Sequence, residues 1–171
     1  MTPSEMTKTG ILFVCMGNIC RSPMAEGVFR AVAARAGMLD RLHVDSAGTH
    51  GYHVGDPPDE RATLAARARG YDIAPLRARQ IQPKDFDRFA WILVMDQPNL
   101  RTLTEMRPPD YKGHLGLYLD LAPQIGKREI PDPYYGGPAG FEEVLDLVEA
   151  ASIALVVTLG RILPRQLREP Q

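Results

Sequence analysis

Residues 11–26 read ILFVCMGNICRSPMAE, an apolar run followed by a short loop and then the start of a helix. The loop has a thiol at one end, Cys15, and a guanidinium at the other, Arg21. A helix that opens near Ser22 presents free backbone N–H groups and the positive end of its dipole to this loop. Such a cradle binds anions, and its field favours the thiolate form of Cys15. Because the Arg21 fork suits two phosphate oxygens at once, the stretch predicts phosphate chemistry through a cysteine.

The composition is that of one ordinary globular domain. The 171 residues suit a single core, and 44% of them are hydrophobic. A net charge of -1 without any polybasic block argues against nucleic acid and membrane surfaces as partners. Residues 1–9 are polar and lack the apolar core of a secretory signal. We therefore expect a flexible tail over residues 1–9, a domain over residues 10–171, a cytoplasmic location and no membrane insertion.

Short apolar runs alternate with longer amphipathic stretches, which is typical of a parallel sheet covered by helices. The predicted strands are Ile11–Cys15, Leu42–Asp45, Trp91–Met95 and Leu115–Leu121. The predicted helices are Ser22–Ala36, Asp59–Arg69, a short helix after Asp96, and Phe141–Leu163. The Pro- and Gly-rich segment Ile130–Gly140 is predicted to be a long surface loop. We expect a single-domain α/β fold with a four-stranded parallel sheet, Rossmann-like in its order 2-1-3-4, and helices on both faces.

Polar side chains follow three of these strands at their carboxyl ends, namely Cys15, Ser46 and Asp96. In open α/β sheets the ligand crevice lies outside that edge, so the three side chains are expected to converge there. Asp96 is most simply the N-cap of the helix that follows, and we also expect it to orient Arg21. Ser46 is expected to join the hydrogen bonds that brace Asn18.

A cysteine that ends a buried strand is, taken alone, an inert core residue more often than a nucleophile. Its neighbours change that interpretation. Gly17 permits a backbone with N–H groups turned inward, and Asn18 tolerates a left-handed conformation that ties the loop to its surroundings. Ser22 is expected to cap the helix, to donate a hydrogen bond to the Cys15 thiolate, or to do both.

The order CMGNICRSP at residues 15–23 resembles the phosphate loop of the low-molecular-weight protein tyrosine phosphatases. The resemblance continues in order through DSAGT at 45–49, ARQ at 78–80, MD at 95–96 and DPYYG at 132–136. It covers nearly the whole chain, and the Cys-x5-Arg-Ser loop and the Asp-Pro-Tyr segment are its most specific parts.

What this resemblance implies is hydrolysis of protein phosphotyrosine and of small aryl phosphates through a phosphocysteine on Cys15. Arg21 and the loop N–H groups would hold the phosphate, in a loop made of Met16, Gly17, Asn18, Ile19 and Cys20. Asp132 would act as general acid and then as general base, although Pro-Asp-Pro alone predicts only a turn. No metal and no cofactor is expected. The implied partners are a phosphotyrosine-containing protein, such as a tyrosine kinase, and inorganic phosphate as product and inhibitor.

The resemblance also places Tyr52, Tyr134 and Tyr135 at the rim of the site, where they would wall a slot for an aromatic phosphate ester. For Tyr52 an ordinary surface tyrosine is an equal alternative. Cys20 is either a small packing residue or, as the resemblance implies, a redox guard that forms a disulfide with Cys15.

The chain departs from the family pattern at Leu76, where many members have a histidine that supports the phosphate loop. We expect the protein to be active with leucine at this position, but with a phosphate loop that is less firmly supported. The histidines at 43, 50 and 53 fit no tidy metal-ligand pattern and are expected to be solvated.

Three other functions fit the sequence less well than hydrolysis does. An arsenate reductase of similar architecture would need further cysteines, and none follows Cys20. A phosphocysteine carrier for sugar uptake would gain little from Arg21 and a later acid. A phosphoprotein-binding module without turnover is disfavoured by the presence of both Cys15 and Asp132.

Overall fold

The computed structural model of the chain describes residues 8–163. Residues 1–7, which make up most of the predicted tail, lie outside the described range, as do residues 164–171. Thr9 is already the first residue of a strand.

In the described part of the chain four parallel strands form one sheet in the order β2-β1-β3-β4, as predicted. They are β1 (Thr9–Cys15), β2 (Leu42–Gly48), β3 (Trp91–Val94) and β4 (His114–Leu117). The interior strand β1 is almost entirely buried. Its unbroken apolar run is typical of a strand that is covered on both faces.

Within residues 8–163 five α-helices cover the sheet: α1 (Arg21–Arg35), α2 (Glu60–Ala68), α3 (Asp85–Arg88), α4 (Gln97–Met106) and α5 (Pro138–Ile162). Alternate residues of β1 enter two separate cores. Phe13 belongs to the core that α1, α2 and α5 close, whereas Leu12 and Val14 belong to the core that includes α3 and α4. The predicted helices on both faces are therefore confirmed.

Two predicted boundaries were wrong in ways that have clear physical reasons. The predicted strand 115–121 ends at Leu117, and a 3-10 helix takes up Tyr118–Leu121. Tyr118 turns into the core there, where its hydroxyl lies 2.6 Å from the hydroxyl of Ser152 on α5. The predicted loop 130–140 is shorter than expected, because α5 begins at Pro138, a residue suited to the first helical turn.

The start of α1 also differs from the prediction. The helix begins at Arg21, Cys20 occupies the N-cap position, and no side chain caps it. Ser22 is therefore not the N-cap, and its hydroxyl is available for another partner. At the other end Gly37 has a φ of 72°, the left-handed conformation expected of the glycine that ends the helix.

Candidate active site

The nucleophile candidate Cys15 lies at the carboxyl end of β1, with only 3% of its surface exposed. The backbone N–H of Asn18 donates a hydrogen bond to its Sγ over 3.3 Å. The Ser22 hydroxyl lies 3.0 Å from the same sulfur. The buried sulfur therefore has a backbone N–H and a hydroxyl within hydrogen-bond distance.

Asn18 is the centre of the hydrogen bonds that shape the loop. It is the one non-glycine residue with a positive φ, 58°, among residues 8–163. Its Nδ2 donates to Ser22 Oγ over 2.7 Å and to Ser46 Oγ over 3.0 Å. Its Oδ1 accepts from the backbone N–H of Arg79 over 3.0 Å. With both amide hydrogens and the oxygen in use, the side chain has one orientation, and the expected bracing by Ser46 is confirmed.

The direction of these hydrogen bonds follows from counting protons. Ser46 donates its one hydroxyl proton to Glu26 Oε1 over 2.8 Å, so it accepts from Asn18. Ser22 likewise accepts from Asn18, so when Cys15 is a thiolate the Ser22 proton goes to Sγ at 3.0 Å in preference to the Ala47 carbonyl at 3.5 Å. The network therefore delivers a hydroxyl donor to the sulfur.

Glu26 is a supporting residue that sequence reasoning missed. It is buried, and burial raises the pKa of its carboxyl, while hydrogen bonds from Ser46 and Arg30 oppose that rise. Arg30, one turn later on α1, pairs with it at 2.9 Å and also donates to the Val44 carbonyl. Glu26 lies at the end of the stretch 11–26, four residues after Ser22. This helical spacing places the two side chains on the same face of α1, and it was the feature of the sequence that could have identified Glu26.

Arg79 holds the segment that orients Asn18. Its Nε lies 2.9 Å from Asp45 Oδ2, and its two terminal nitrogens each lie 3.1 Å from an oxygen of the buried Asp85. The backbone of the same residue accepts a hydrogen bond from Gly48 at the end of β2. The ARQ motif at 78–80 thus acts through its backbone, which the Arg79 side chain fixes in place.

The phosphate-binding candidate Arg21 is also buried, with 3% exposure. Its Nη1 lies 2.6 Å from Asp96 Oδ2 and 3.0 Å from the Ile130 carbonyl. Its Nη2 lies 3.7 Å from Asp132 Oδ2. Burial alone would lower the pKa of Arg21, but the nearby groups Cys15, Asp96 and Asp132 hold that pKa above its usual value. The expected orientation of Arg21 by Asp96 is confirmed.

The structure brings Asp132 to the same site from the loop before α5. Its Oδ1 accepts the backbone N–H of Tyr134 over 3.0 Å, which is the turn that its sequence context predicted. Its Oδ2 faces Arg21, and 39% of the side chain is exposed. The residue therefore has a turn-forming oxygen and a second oxygen directed at the site.

These groups surround a cavity of about 280 Å³. Tyr52, Tyr134 and Tyr135 line it together with the phosphate loop, as the resemblance implied. Tyr134 and Tyr135 meet edge to face with ring centres 4.9 Å apart, and the Tyr52 ring stacks on His50. All three tyrosines remain exposed, so they form a rim and not a closed wall.

His53 lines this cavity although the sequence predicted a solvated histidine. Its Nδ1 lies 3.3 Å from Asp56 Oδ2, and its Cδ2 lies 3.1 Å from where a Cβ at Gly17 would stand. A side chain at position 17 would therefore press against His53. The absence of that side chain is what lets the histidine approach the loop.

Two residues singled out in the sequence, Cys20 of the loop and Leu76, make no side-chain hydrogen bond in the network around Asn18. Cys20 is buried, and burial, followed by the charge of Asp59, raises the pKa of its thiol. Leu76 is partly buried and packs against the core that α1 and α5 share. Since Asn18 has all its partners, the loop is closed without a histidine at position 76. Whether it is less firmly supported stays a prediction.

Two negative findings apply to residues 8–163. No three His, Cys, Asp or Glu side chains there are grouped so that they could hold a metal ion. No helix within that range is long and apolar enough to cross a membrane.

Comparisons with known proteins agree with this geometry. The family model for the low molecular weight phosphotyrosine protein phosphatases matches residues 10–166. A putative low molecular weight protein-tyrosine-phosphatase of Synechocystis is 47% identical over 152 residues, which are 88% of this chain and 96% of that protein. The human low molecular weight phosphotyrosine protein phosphatase is 41% identical over 143 residues, covering 82% of this chain and 89% of its own.

Solved structures are similar as well. A protein tyrosine phosphatase from Entamoeba histolytica, with Hepes in its active site, superposes with a TM-score of 0.87 at 38% identity, covering 90% of this chain and 98% of its own. A Drosophila arginine phosphatase superposes with a TM-score of 0.81 at 29% identity, covering 86% of this chain and 96% of its own.

Proposed function

The chain belongs to the low molecular weight phosphotyrosine protein phosphatase family and is a protein tyrosine phosphatase; on that premise we propose that it hydrolyses phosphotyrosine through a phosphocysteine on Cys15. The observation that carries this proposal is one cluster of three groups. A buried sulfur receives two hydrogen bonds, a buried guanidinium lies in the same cavity, and an exposed carboxylate faces that guanidinium. These are a nucleophile, a phosphate ligand and a proton donor.

In the first step the Cys15 thiolate attacks phosphorus, and the bond from phosphorus to the phenolic oxygen breaks. Asp132 gives its proton to that oxygen, so tyrosine leaves as a neutral phenol. Arg21 and the loop N–H groups hold the equatorial phosphate oxygens, on which charge spreads in the transition state. Because Asp96 and the Ile130 carbonyl already fix Arg21, it needs little reorganisation as the reaction proceeds.

In the second step water attacks the phosphocysteine. Asp132, now a carboxylate, takes a proton from this water, the bond from sulfur to phosphorus breaks, and Cys15 returns as a thiolate. The Ser22 hydroxyl donates to that leaving sulfur and so favours its departure. Inorganic phosphate is the product, and it also competes for the loop.

The tyrosine rim supports an aryl phosphate as substrate. Tyr134 and Tyr135 flank the cavity, and the apolar side chain of Ile19 lines it, which suits a flat apolar ring. The similarity to an arginine phosphatase makes phosphoarginine the comparison substrate of choice. We expect kcat/KM to be highest for phosphotyrosyl peptides, and lower for phosphoarginyl and phosphoseryl peptides of the same sequence.

A stopped-flow experiment tests the mechanism directly. The reduced protein is mixed with p-nitrophenyl phosphate in the presence of a chelator. We expect a nitrophenolate burst stoichiometric with enzyme and then steady turnover. Cys15→Ser should abolish both, since the weaker oxygen nucleophile replaces the thiolate. A burst without turnover would instead indicate a phosphocysteine carrier, and the absence of both would indicate a binding module.

A further inference from the structure

The guanidinium of Arg61, in the first turn of α2, lies beside the rim of the active-site cavity. Its Cζ is 5.4 Å from the centre of the Tyr134 ring, which lines the cavity. It is 4.9 Å from the centre of the Phe141 ring at the start of α5. Cation–π contacts with two aromatic rings restrict the guanidinium, although 46% of the Arg61 side chain is exposed.

Asp59 fixes the same guanidinium through a two-point ion pair. Nε of Arg61 lies 3.1 Å from Asp59 Oδ1, and its Nη2 lies 3.0 Å from Oδ2. Asp59 is in turn attached to the phosphate loop, because its backbone N–H donates to the Ile19 carbonyl over 2.8 Å. The position of the guanidinium is therefore set relative to the loop that binds the phosphate.

This arrangement leaves part of the guanidinium available for a ligand. The Asp59 pair uses Nε and Nη2, and Nη1 makes no hydrogen bond with any residue of the described range 8–163. A guanidinium that is already ordered loses little entropy when it binds an anion. The free Nη1 is a donor that carries part of the guanidinium charge, and a carboxylate is the acceptor that matches it in both geometry and charge.

Resting on the proposed phosphotyrosine hydrolysis, we propose that Arg61 is a specificity-determining residue that binds the side-chain carboxylate of a Glu or Asp close to phosphotyrosine in the substrate protein. The Tyr134 ring adjoins both recognition points, since it lines the cavity and also contacts Arg61. A peptide whose phosphotyrosine enters the cavity would pass that ring and bring a neighbouring side chain to the guanidinium.

The test compares matched phosphotyrosyl peptides that differ only by Glu or Gln, placed next to phosphotyrosine on the N-terminal side in one pair and on the C-terminal side in the other. The readout is the ratio of kcat/KM for the Glu peptide to that for the Gln peptide, measured within each enzyme so that general changes in activity cancel. The variant is Arg61→Gln. Arg88→Gln is the control, since it removes the same charge from an exposed arginine. Arg88 ends α3 and precedes the amino end of β3, whereas the active site lies at the carboxyl ends of the strands.

For the wild type we expect a ratio of about three to five in at least one pair, the effect of a partly exposed ion pair. The ratio should fall to about one in Arg61→Gln, persist in Arg88→Gln, and decrease with salt. A wild-type ratio of one in both pairs, or an unchanged ratio in Arg61→Gln, would overturn the inference while leaving phosphotyrosine hydrolysis intact. If the wild type hydrolysed none of the peptides, the proposed function itself would fail, and the inference with it.

Discussion

Asp132 is the residue responsible for both proton transfers in the proposed reaction. Asp132→Asn removes the transferable proton but keeps a side chain of the same shape, so aryl-phosphate turnover should fall by about 10²- to 10⁴-fold. Binding of phosphate or vanadate should change little, because Asp132 contacts Arg21 only at 3.7 Å while Asp96 holds it at 2.6 Å. Steady-state kcat with p-nitrophenyl phosphate and the inhibition constant of vanadate measure the two effects.

The exposed Asp40, in the 3-10 helix before β2, offers a matched control. Asp40→Asn makes the same chemical change away from the cavity and should leave both quantities as they are. Turnover near the wild-type rate in Asp132→Asn would exclude Asp132 as the acid.

Cys20 allows a redox prediction at the same scale. Peroxide oxidises the Cys15 thiolate to a sulfenic acid, and the Cys20 sulfur then displaces water to form a disulfide. Because burial and Asp59 raise the pKa of Cys20, little thiolate is present near neutrality, and closure should accelerate as the pH rises. Mass spectrometry after mild peroxide should find the Cys15–Cys20 disulfide in the wild type and sulfinic acid at Cys15 in Cys20→Ala. Sulfinic acid in the wild type without any disulfide would show that Cys20 is only a packing residue.

Individual residues also show what sequence can and cannot provide. Cys15, Arg21 and Asn18 could be predicted because they lie in one short loop whose residue types and spacing are distinctive. Glu26 and His53 were missed as parts of the site, since their roles depend on partners that only the folded chain brings near. Glu26 meets Ser46 of β2, and His53 meets Gly17.

At the scale of the element, one carboxylate at the start of α4, that of Asp96, has two roles. Asp96 Oδ1 accepts the backbone N–H of Asn99 over 2.9 Å, and Asn99 Oδ1 accepts the backbone N–H of Asp96 over 3.2 Å. This capping box uses one oxygen, and the other binds Arg21. The helix cap and the orientation of Arg21 can therefore be separated by mutation.

Asn99→Ala removes half of the capping box and should lower the free energy of unfolding by about 1 kcal/mol, with little change in phosphate affinity. Asp96→Asn keeps an oxygen for the cap but loses the charged contact with Arg21, so the inhibition constant of phosphate should rise about tenfold. Urea unfolding and competitive inhibition measure the two quantities. If Asn99→Ala weakened phosphate binding as much as Asp96→Asn does, the cap and the site would not be separable.

Elements with strong local signals were predicted well, and short ones were not. The apolar run of β1 and the long apolar faces of α1 and α5 predicted a strand and two helices at these positions. The four-residue helix α3 has too few residues for a periodic signal, and it is supported by the pairing of its buried Asp85 with Arg79, six residues earlier in the chain. The turn from β4 into the 3-10 helix depends on Tyr118 reaching Ser152, a contact that no local pattern encodes.

At the scale of the whole molecule, the active site and a stabilising cluster around Tyr111 lie at opposite ends of the strands. The carboxyl ends of β1 and β3 lead into Cys15 and Asp96 of the active site. Near the opposite end of β3 the Tyr111 hydroxyl donates to the Phe89 carbonyl over 2.8 Å, and its ring meets Phe86 edge to face. A change at Tyr111 should therefore report on folding without disturbing the phosphate loop.

That separation allows a prediction for alkaline stability. Burial raises the pKa of Tyr111 to about 12, and it also raises the pKa values of Tyr118 and Tyr71. In the unfolded chain tyrosine ionises near pH 10, so between that pH and the folded values the unfolded state has lost protons that the native state still holds. Stability is therefore fully present below about pH 10 and decreases as the pH rises towards the folded values.

Tyr111→Phe tests this directly, because the variant has no hydroxyl to ionise when residue 111 unfolds. From pH 9 to pH 12 the wild type should lose about 1 kcal/mol more unfolding free energy than Tyr111→Phe does, because Tyr111 is only half-buried and solvent screening reduces the full value of about 1.4 kcal/mol for each unit of pKa. At pH 8 the variant should be the less stable of the two, because the Phe89 carbonyl has lost its donor. Urea unfolding followed by circular dichroism at each pH gives both numbers. Parallel stability curves for the two proteins would show that Tyr111 ionises equally easily in the folded and unfolded states, and would place the alkaline sensitivity in Tyr118 and Tyr71.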